Sequence, residues 1–385
     1  MKPLVIVQML PELRGGGVEE DAVETACYLA SRGHVSLIVS GPGPMVARVE
    51  GCGARHLSLP VGEKSPKVLA SLPPLRKLFF SADVVHLRSR VPAWAGMAAA
   101  RSIPREKRPA VVTTFHGTYS VHAGSAVMAK GDRVIAISEF IAGYAKDNFG
   151  VREDRLVRIP GGFDEGRFSA EKVSEARRED MRRKLGAAAG GPPLVLLPGR
   201  ITGWKGHRLF LQSLSLIKDF AWVAACAGDL RENPGYAEEL RNLAADLGMG
   251  DRVLFAGHVS DMPAAYLAAD VVVSASTEPE AFGRVAVEAQ AMGRPVAATA
   301  LGGSLETVLS GRTGFLCRPG CPEAMAAALA RLVTDAGLRK RMGFAGRDFV
   351  HAHFTTRAMC ERTEALYREL AGGVRERRAG KTGRV

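Results

Sequence analysis

The stretch Glu278-Pro-Glu-Ala-Phe-Gly-Arg-Val-Ala-Val-Glu-Ala-Gln-Ala-Met-Gly-Arg-Pro-Val296 joins two short apolar runs, Val271 to Ser274 and Pro295 to Ala298. The Phe282-Gly283 turn breaks the chain after the first run, and the residues that follow predict a helix. A helix between two buried, β-rich runs is typical of parallel strands, because parallel neighbours need a long crossover connection. The stretch therefore predicts a strand, a helix and a second strand of one parallel sheet.

The same alternation of apolar runs and helical stretches extends over the chain and predicts an α/β protein with helices on both faces of its sheets. Because 385 residues exceed one ordinary core, we expect two similar domains. The predicted strands of the first half are Leu4 to Gln8, Val35 to Val39, Asp83 to His86, Ala110 to Phe115, Arg133 to Ile137 and Leu156 to Ile159. Those of the second half are Leu194 to Leu197, Trp222 to Ala227, Val253 to Ala256, Val271 to Ser274, Pro295 to Ala298 and Gly314 to Cys317.

The boundary between the domains is expected just after Pro160-Gly161-Gly162, which interrupts regular structure. A charged, helical segment from Val173 to Leu185 follows, and then a stretch from Gly186 to Pro193 that is rich in Ala, Gly and Pro. Ligands of open parallel sheets bind outside the carboxyl ends of the strands. The motifs that follow predicted strands are therefore the candidates for function.

The composition is that of a soluble globular protein, with 46% hydrophobic and 24% charged residues, and it includes no run of about 18 uncharged apolar residues. The N-terminal apolar run is too short for a secretory signal, so we expect a cytoplasmic protein. Cys27 and Cys226 are expected to pack as reduced thiols, and Cys317 and Cys321 have no partner pair with zinc spacing. No metal site is predicted.

A formal charge of +12 predicts attraction to polyanions. The cations concentrate in Arg101 to Arg108 and in the tail from Arg375 to Arg384. We interpret the tail either as a disordered, solvated end or as a contact with an anionic membrane surface. Leu72 to Phe80, an apolar segment that contains Arg76 and Lys77, either adds an apolar foot to that contact or belongs to the core.

Glu280 and Glu288, with seven residues between them, give the strongest functional signal. An eight-residue step is slightly more than two helical turns, so a carboxylate on the helix and one just ahead of it face the same cleft. The backbone N–H groups of Phe282, Gly283 and Arg284 open the helix, and a helix N-terminus attracts anions. This arrangement suits a phosphorylated ligand that is rich in hydroxyl groups.

Three further motifs follow predicted strands. Arg200 and Lys205, in the loop from Gly199 to Gly206, supply a forked donor and a point charge, a pair that suits a diphosphate. His116, in Thr-Phe-His-Gly-Thr, is expected at a strand end that borders the cleft. Arg14-Gly15-Gly16-Gly17 is interpreted either as a loop that meets a phosphate or a sugar, or as a plain tight turn.

Two carboxylates are also typical of glycoside hydrolases, which use an acid and a base. A hydrolase releases no phosphate for Arg200 and Lys205 to bind, and this argues against hydrolysis. Metal-dependent sugar transfer is disfavoured because the chain contains no Asp-x-Asp pair.

Together these motifs resemble those of the family 4 glycosyltransferases, which are retaining enzymes of the GT-B architecture. Glu280 through Val296 is similar to the family's Glu-x7-Glu signature followed by Ala-x-x-x-Gly-x-Pro-Val, and Gly199-Arg200 with Lys205-Gly206 is similar to its second motif. The glycine loop, His116-Gly117 and Gly161-Gly162-Phe163-Asp164 support a resemblance that covers nearly the whole chain.

The resemblance implies two facing Rossmann-like domains, each a doubly wound parallel sheet, with a deep cleft between them. It divides the chain into an acceptor-side domain of residues 1–163, a nucleotide-sugar-binding domain of residues 164–354, and a helix at about 355–385 that crosses back to the first domain. It implies no cofactor, since a UDP- or GDP-sugar is the donor substrate.

The donor-binding residues follow from the same resemblance. Arg200 and Lys205 would bind the donor diphosphate, and Glu288 would hold the nucleotide ribose. The backbone amides of Phe282, Gly283 and Arg284 would assist in binding the diphosphate. Gly16 and Gly17 would leave room for phosphate and acceptor.

The resemblance also implies which residues lie nearest the reaction. His116 would contact the donor sugar near the reacting carbon, and Glu280 would hold the hydroxyls of that sugar. With Arg200 and Lys205 they form the expected catalytic set. In the family, configuration is retained by a front-face route in which the leaving phosphate helps to deprotonate the acceptor hydroxyl, and domain closure expels water.

We therefore expect a metal-independent, retaining transfer of a hexose-type sugar to a hydroxyl of a glycan or lipid-linked acceptor. The basic, non-spanning chain resembles bacterial envelope enzymes that extend lipid-linked glycans such as lipopolysaccharide core, at the inner face of the cell membrane. The segments that would contact the acceptor, Val91 to Met97 and Thr118 to Lys130, match no interpretable pattern. The alternatives are a sugar-nucleotide epimerase or phosphorylase of the same fold, and a non-catalytic polyanion-binding protein. No nucleic-acid-binding motif occurs.

Overall fold

The computed structural model describes residues 2–380, apart from the side chain of residue 66. These residues form two compact units. The first unit comprises the chain up to Gly161 together with the segment from Thr356 onward, and the second unit comprises Gly162–Thr355. The chain therefore leaves the first unit once and returns to it.

Each unit is built on one sheet in which all paired strands are parallel. The first sheet has the order β3-β2-β1-β4-β5-β6-β7, formed by β1 (Val5–Met9), β2 (Val35–Ser40), β3 (Arg55–Ser58), β4 (Val84–Leu87), β5 (Ala110–Phe115), β6 (Arg133–Ala136) and β7 (Leu156–Arg158). The second has the order β10-β9-β8-β11-β12-β13, formed by β8 (Leu194–Pro198), β9 (Val223–Ala227), β10 (Val253–Gly257), β11 (Val271–Ser274), β12 (Val296–Thr299) and β13 (Gly314–Cys317). The predicted pair of doubly wound α/β domains is confirmed.

Helices cover both sheets. Those up to the end of the second unit are α1 (Gly17–Ser31), α2 (Val46–Gly51), α3 (Leu72–Ser81), α4 (Arg90–Arg101), α5 (Glu139–Phe149), α6 (Glu175–Lys184), α7 (His207–Ser215), α8 (Pro234–Asp246), α9 (Met262–Ala268), α10 (Arg284–Ala291), α11 (Ser304–Thr307), α12 (Pro322–Thr334) and α13 (Ala336–His353). The last, α14 (Thr356–Arg378), belongs to the first unit. Within residues 2–380, none of these helices has both the length and the apolar character that a bilayer crossing requires.

The central strands are buried along their whole length, because helices lie on both sides of each sheet. Such strands appear in the sequence as continuous apolar runs, and all twelve predicted strands are confirmed to within one residue at each end. The sequence did not predict β3. Only Leu57 is strongly apolar in Arg55-His-Leu-Ser58, and this edge strand is partly exposed.

Helix α14 is anchored to the first unit along its length. Tyr367 is fully buried, and its hydroxyl lies 2.5 Å from His86 Nδ1. Arg375 Nη2 lies 3.0 Å from Asp83 Oδ2, and Arg378 donates to three backbone carbonyls. The interpretation of the tail as a disordered end is therefore wrong for Arg375 to Arg378. The tail beyond residue 380 lies outside the described residues.

The cysteines of the first unit differ from expectation. Cys27 in α1 was expected to be a reduced thiol, but it forms a disulfide with Cys52, with 5.4 Å between the Cα atoms. The two positions are 25 residues apart and meet because α1 packs beside α2, which no local pattern reveals. Cys226 in the second unit is a buried free thiol as predicted, and burial raises its pKa to about 12.

The interpretation of the segment from Leu72 to Phe80 as part of the core is confirmed for one face of α3, and the membrane contact stays a prediction. Leu75 and Phe79 are fully buried in the first unit. Arg76 and Lys77 are exposed, and Phe80 remains 45% exposed beside them. The helix therefore belongs to the core and also presents a basic surface that carries an aromatic ring.

Candidate donor and acceptor sites

The strand order of the second sheet creates a switch point between β8 and β11. From β8 the chain continues outward through β9 and β10, whereas from β11 it continues in the other direction through β12 and β13. Ligands of doubly wound sheets bind outside the carboxyl ends of the strands at such a point. The loop from Gly199 to Gly206 follows β8, and the loop from Ala275 to Gly283 follows β11. The two strongest sequence motifs therefore lie on adjacent loops.

Lys205 and Glu280 form an ion pair at this switch point. Lys205 Nζ lies 2.6 Å from Glu280 Oε1, and the Ser276 hydroxyl donates to the same oxygen at 2.6 Å. The two charged side chains are only 17% and 14% exposed, respectively. The Lys205 ammonium also lies 4.2 Å from the ring centroid of Trp204. Two groups that the sequence assigned to different parts of a ligand thus bind each other in the free protein.

Glycine geometry holds the two loops together. Gly206 adopts φ 75°, and a Cβ atom on it would lie 1.8 Å from the carbonyl oxygen of Ala275. Only a residue without a side chain allows this approach, which fixes the position of the preceding Lys205. The loops are joined further by a hydrogen bond from Thr277 N to Trp204 O of 2.8 Å.

The backbone of Glu280 is held by a loop that the sequence reasoning missed. Gly303 N donates to Glu280 O at 2.7 Å, and Glu280 forms an isolated parallel bridge with Gly302. Gly302 has φ 55°, and a Cβ on it would lie 2.3 Å from Glu280 O. The sequence feature that could have indicated this loop was the pair of glycines shortly after the predicted strand Pro295 to Ala298.

Helix α10 begins where the sequence predicted, at the Phe-Gly turn. Gly283 is the N-cap residue with φ 91°, and Arg284 opens the helix. Phe282 anchors the turn, since it is buried and meets the Phe354 ring edge-on at 5.5 Å. The helix therefore begins directly at the end of the loop after β11, and its positive N-terminus favours an anion there.

Glu288 lies one helical turn beyond Arg284 in α10. Its Oε2 accepts a hydrogen bond from the Tyr266 hydroxyl at 3.0 Å, and its Oε1 lies 3.5 Å from Arg284 Nε. Burial raises the pKa of Glu288, while Arg284 and Tyr266 oppose that rise. A largely buried carboxylate with donors on two sides is suited to accept hydrogen bonds from a ligand's hydroxyl groups. Tyr266 of α9 had no signal in the sequence.

Arg200 is the member of this set that the structure does not bring into the cluster. Its side chain is exposed, and its guanidinium makes no hydrogen bond or ion pair with any other residue in the range 2–380. The structure therefore places Lys205, Glu280 and the start of α10 together, with Arg200 on the rim of the same loop. Across residues 2–380 no group of acidic, His and Cys side chains is arranged to hold a metal ion.

The first sheet has its own switch point, between β1 and β4. The glycine loop follows β1, and Gly16 with φ 151° serves as the N-cap of α1, which begins at Gly17. A Cβ on Gly16 would lie 2.7 Å from the Glu19 carboxylate. The loop therefore opens a helix at a switch point with the Glu19 carboxylate beside it, and both interpretations, a contact for a phosphate or sugar and a plain tight turn, stay predictions.

His116 follows β5 at the same edge of the first sheet. Its side chain is 6% exposed, and its Nδ1 lies 3.7 Å from Asp21 Oδ2 in α1. The sequence reasoning missed this carboxylate partner, because Asp21 precedes His116 by almost a hundred residues. The sequence feature that could have indicated this partner was an acidic residue in the first turns of the helix after the glycine loop.

A buried arginine at the end of β4 ties this edge together. Arg88 Nε donates to Gln8 Oε1 at 2.7 Å, and its Nη2 donates to Thr25 Oγ1 at 3.0 Å. It thereby links β1, β4 and α1, and α1 carries Asp21. His86 lies between two hydroxyl groups, those of Tyr367 and Thr114, and burial lowers its pKa well below the usual range. His86 is thus a neutral structural group.

Comparison with known proteins decides the family. The family model described as "Glycosyl transferases group 1" matches residues 177–349, and the one described as "Glycosyltransferase Family 4" matches residues 15–167. A D-inositol 3-phosphate glycosyltransferase of Xylanimonas cellulosilytica is 32% identical over 289 residues, 69% of this chain and 67% of that protein. The chain belongs to the family 4 glycosyltransferases.

Two further similarities extend over most of this family 4 chain. A GDP-mannose-dependent alpha-(1-6)-phosphatidylinositol monomannoside mannosyltransferase of Mycobacterium tuberculosis is 28% identical over 360 residues, 89% of this chain and 84% of that protein. The crystal structure of a glycosyltransferase from Rickettsia africae is 30% identical, covers 96% of this chain and 99% of its own, and has a TM-score of 0.88. Some curated relatives are matched over only about half of their length, 51% and 46% in two cases.

Replacing Asp21 with Asn in this family 4 chain is expected to lower turnover by roughly ten- to a hundredfold. A carboxylate beside an imidazole influences which ring nitrogen carries the proton and how the ring is oriented, and we take the magnitude from carboxylate partners of metal-bound histidines, whose loss has an effect of about this size. The measurement is sugar release or transfer from the donor. Glu20→Gln is the control, since Glu20 lies in the same helix but pairs with Arg48. Full turnover of Asp21→Asn would contradict the orienting role.

His207 is expected to make the second unit of this family 4 chain sensitive to acid. It is fully buried at the start of α7, and burial lowers its pKa to about 4. An unfolded histidine titrates near ~6.5, so between these values the unfolded chain binds a proton that the folded chain does not. As the pH falls from ~6.5 toward about 4, this histidine should remove roughly 2–3 kcal/mol of stability.

The measurement for His207 is urea unfolding at pH 7 and pH 4.5. We expect His207→Gln to be less stable than wild type at pH 7 and to lose less stability on acidification. His258→Gln, which changes an exposed histidine of the same unit, is the control. An equal loss of stability in wild type and His207→Gln would show that His207 does not titrate in this range.

Proposed function

We propose that the protein is a retaining glycosyltransferase that moves a hexose-type sugar from a UDP- or GDP-sugar to a hydroxyl of a glycan or lipid-linked acceptor. The observation that carries the proposal is the largely buried Lys205–Glu280 pair at the switch point of the second sheet, just ahead of the α10 N-terminus. A sugar diphosphate offers an anion to the cation and the helix, and hydroxyl groups to the carboxylate. One ligand therefore satisfies all three groups.

Donor binding would exchange the contacts of the free protein. Lys205 Nζ would turn from Glu280 to the diphosphate, and the exposed Arg200 would close over the same phosphates from the rim of the loop. Glu280 Oε1 would keep the Ser276 hydroxyl and accept hydrogen bonds from the sugar hydroxyls in place of the lysine. Glu288, already paired with Tyr266, would accept hydrogen bonds from the ribose.

In the reaction, the bond between the anomeric carbon and the phosphate oxygen breaks, and a bond to the acceptor oxygen forms on the same face of the sugar. The acceptor's hydroxyl proton passes to the leaving phosphate. Lys205, Arg200 and the α10 N-terminus stabilise the charge that develops on that phosphate, and one such donor is typically worth ~10²–10³ in rate. We propose metal independence because these cations supply the charge stabilisation. His116 would contact the sugar near the reacting carbon, oriented by Asp21.

Two of the relatives support a nucleotide-sugar donor and an inositol-type or lipid-linked acceptor. One is GDP-mannose-dependent and acts on a phosphatidylinositol mannoside, and the other is named for inositol 3-phosphate. We propose an envelope glycan as acceptor, with lipopolysaccharide core as another member of that class. The protein would work at the inner face of the cell membrane.

The basic face of α3 is the proposed membrane contact. A groove of about 590 Å³ lies beside Arg76, Lys77 and Phe80. Lys107 approaches the ring of Phe80, with its Nζ 5.3 Å from the centroid. Basic side chains near an anionic bilayer each contribute about 1 kcal/mol, and an aromatic ring adds apolar contact. Binding to vesicles that contain anionic lipid should fall in Arg76→Gln/Lys77→Gln, whereas equal binding of wild type and this variant would reject the contact.

The experiment that tests the function is a screen of nucleotide sugars for thermal stabilisation, followed by turnover with product analysis. At 100 times its dissociation constant a ligand adds ~2.7 kcal/mol to stability, so a true donor gives a clear shift. Arg200→Ala and Glu288→Ala should each nearly abolish turnover, whereas Arg241→Ala, which changes an exposed arginine of the same unit, should not. Full activity in both site variants would reject the site. An interconverted donor would indicate an epimerase, and a sugar phosphate formed from added phosphate would indicate a phosphorylase.

A further inference from the structure

A second basic cavity lies at the opposite edge of the second sheet from the proposed donor site. It has a volume of about 290 Å³ and adjoins the amino end of β12. Four cationic side chains line it, together with one carboxylate and one aromatic ring; they are Arg294, Arg339, Lys340, Arg347, Asp270 and Phe344. None of these residues belongs to the two loops at the switch point, so the cavity is separate from the proposed donor site.

Arg294 is the unusual member of this cavity. It follows α10 in the Met-Gly-Arg-Pro turn, and its Nε atom is buried without a hydrogen-bond partner. Its guanidinium forms no ion pair with any other residue between 2 and 380. Burial lowers its pKa to about 10, the Asp270 carboxylate opposes that shift, and Arg178 and Arg182 act in the same direction as burial. Arg294 is only partly exposed, and a largely desolvated cation that no carboxylate contacts is costly unless a ligand supplies a partner.

The neighbouring charges are already engaged. Asp270 Oδ2 accepts hydrogen bonds from Arg182 Nη1 and from Leu194 N, both at 2.8 Å. Arg347 Nη2 lies 3.3 Å from Glu171 Oε1. The one acidic group in the cavity wall therefore makes its ion pair with Arg182 and acts on Arg294 only from a distance.

Two of the remaining cations complete the positive surface. Arg339 Nη1 donates to the carbonyls of Leu332 and Val333, which leaves its charge without a carboxylate. Lys340 forms no ion pair within the described range and lies beside Phe344, with its Nζ 6.0 Å from the ring centroid. Arg294 and Lys340 thus present uncompensated charge on one cavity that also has an apolar wall.

We propose that this cavity binds the phosphate group of a small phosphorylated compound. A guanidinium offers two parallel donors that match a phosphate, and an ammonium adds a point charge. Phosphate would give Arg294 a hydrogen-bond partner for Nε and a counter-charge in direct contact. Gly343 of α13 packs against the same turn, since a Cβ on it would lie 2.1 Å from Gly293 O. The close packing keeps the wall of α13 against Arg294 and so preforms the site.

The test is a titration of the full-length protein with inorganic phosphate, with sodium chloride added to hold the ionic strength constant. We expect a saturable rise in melting temperature that Arg294→Met abolishes and Lys340→Gln weakens severalfold. Without phosphate, Arg294→Met should be at least as stable as wild type, because it removes a partly buried charge that has no ion-pair partner among the described residues. A purely structural arginine would instead make this variant less stable.

The variant Arg200→Ala/Lys205→Ala separates this cavity from the proposed donor site. Phosphate stabilisation should persist in that variant and be lost when Arg294→Met is added to it. Arg241→Gln controls for the removal of one arginine charge elsewhere in the unit. The proposal is wrong if phosphate gives no saturable shift, if the shift survives Arg294→Met, or if it disappears in Arg200→Ala/Lys205→Ala alone. None of these outcomes depends on glycosyltransferase activity.

Discussion

Lys205→Ala is expected to lower the turnover of a nucleotide sugar by ~10²–10³, because the cation that meets the leaving diphosphate is removed. The same change leaves the largely buried Glu280 carboxylate with Ser276 as its remaining side-chain donor, so donor affinity should also fall. The measurement is kcat and KM for the donor identified in the screen. Lys184→Ala, which changes an exposed lysine paired with Asp180, is the matched control.

The coupling between Lys205 and Glu280 sharpens this test. Residues that act as a unit have non-additive effects, so Lys205→Ala/Glu280→Gln should lose less activity than the product of the two single losses. Unchanged kcat in Lys205→Ala would exclude the lysine from the reaction. Strict multiplication of the two effects would show that the ion pair is unrelated to donor binding.

Gly206→Ala is expected to destabilise the second unit by about 3–5 kcal/mol or to prevent its folding. The new Cβ would lie 1.8 Å from the backbone oxygen of Ala275, and the residue would be held at φ 75°, where alanine is strained. Neither the oxygen nor the glycine can move without separating the loops after β8 and β11. We therefore expect donor binding to be lost together with stability.

Gly203→Ala provides the matched control for Gly206→Ala. Gly203 lies in the same loop, has no positive φ, and has open space where a Cβ would be placed. Urea unfolding followed by tryptophan fluorescence in a Trp94→Phe background reports on the second unit, because the other two tryptophans, Trp204 and Trp222, lie there. Equal stability of the two alanine variants would contradict the close approach of the loops.

The strands were predictable because a strand that is buried on both faces consists mostly of apolar residues, and this pattern is visible within a few positions of the sequence. Each central strand is a run of four to six mostly apolar residues, and all were found to within one residue at each end. The edge strand β3 was missed because an edge strand with an exposed face needs no such run. The start of α10 was predictable for a different local reason, since the Phe-Gly turn has the sequence of a helix beginning.

The partners within the candidate site were not predictable. The Lys205–Glu280 contact joins positions 75 residues apart, and Tyr266 and Glu288 lie on different helices. The sequence assigned Lys205 and Glu280 to separate parts of a ligand, and nothing local indicated that they pair when no ligand is present. The pairing of Asp21 with His116 could not be predicted for the same reason, because His116 lies at the end of a strand that is distant in sequence.

The sequence by itself determined the parallel α/β plan, the positions of the strands, and which polar residues lie just after them. These properties depend on the pattern of apolar residues and on single turns, and both are determined by a few neighbouring residues. Only the tertiary structure decided which of those residues meet, that Cys27 bonds to Cys52, that α14 is anchored through Arg378, and that the buried Nε of Arg294 has no hydrogen-bond partner. Those outcomes depend on the packing of distant elements, which the chain specifies only as a whole.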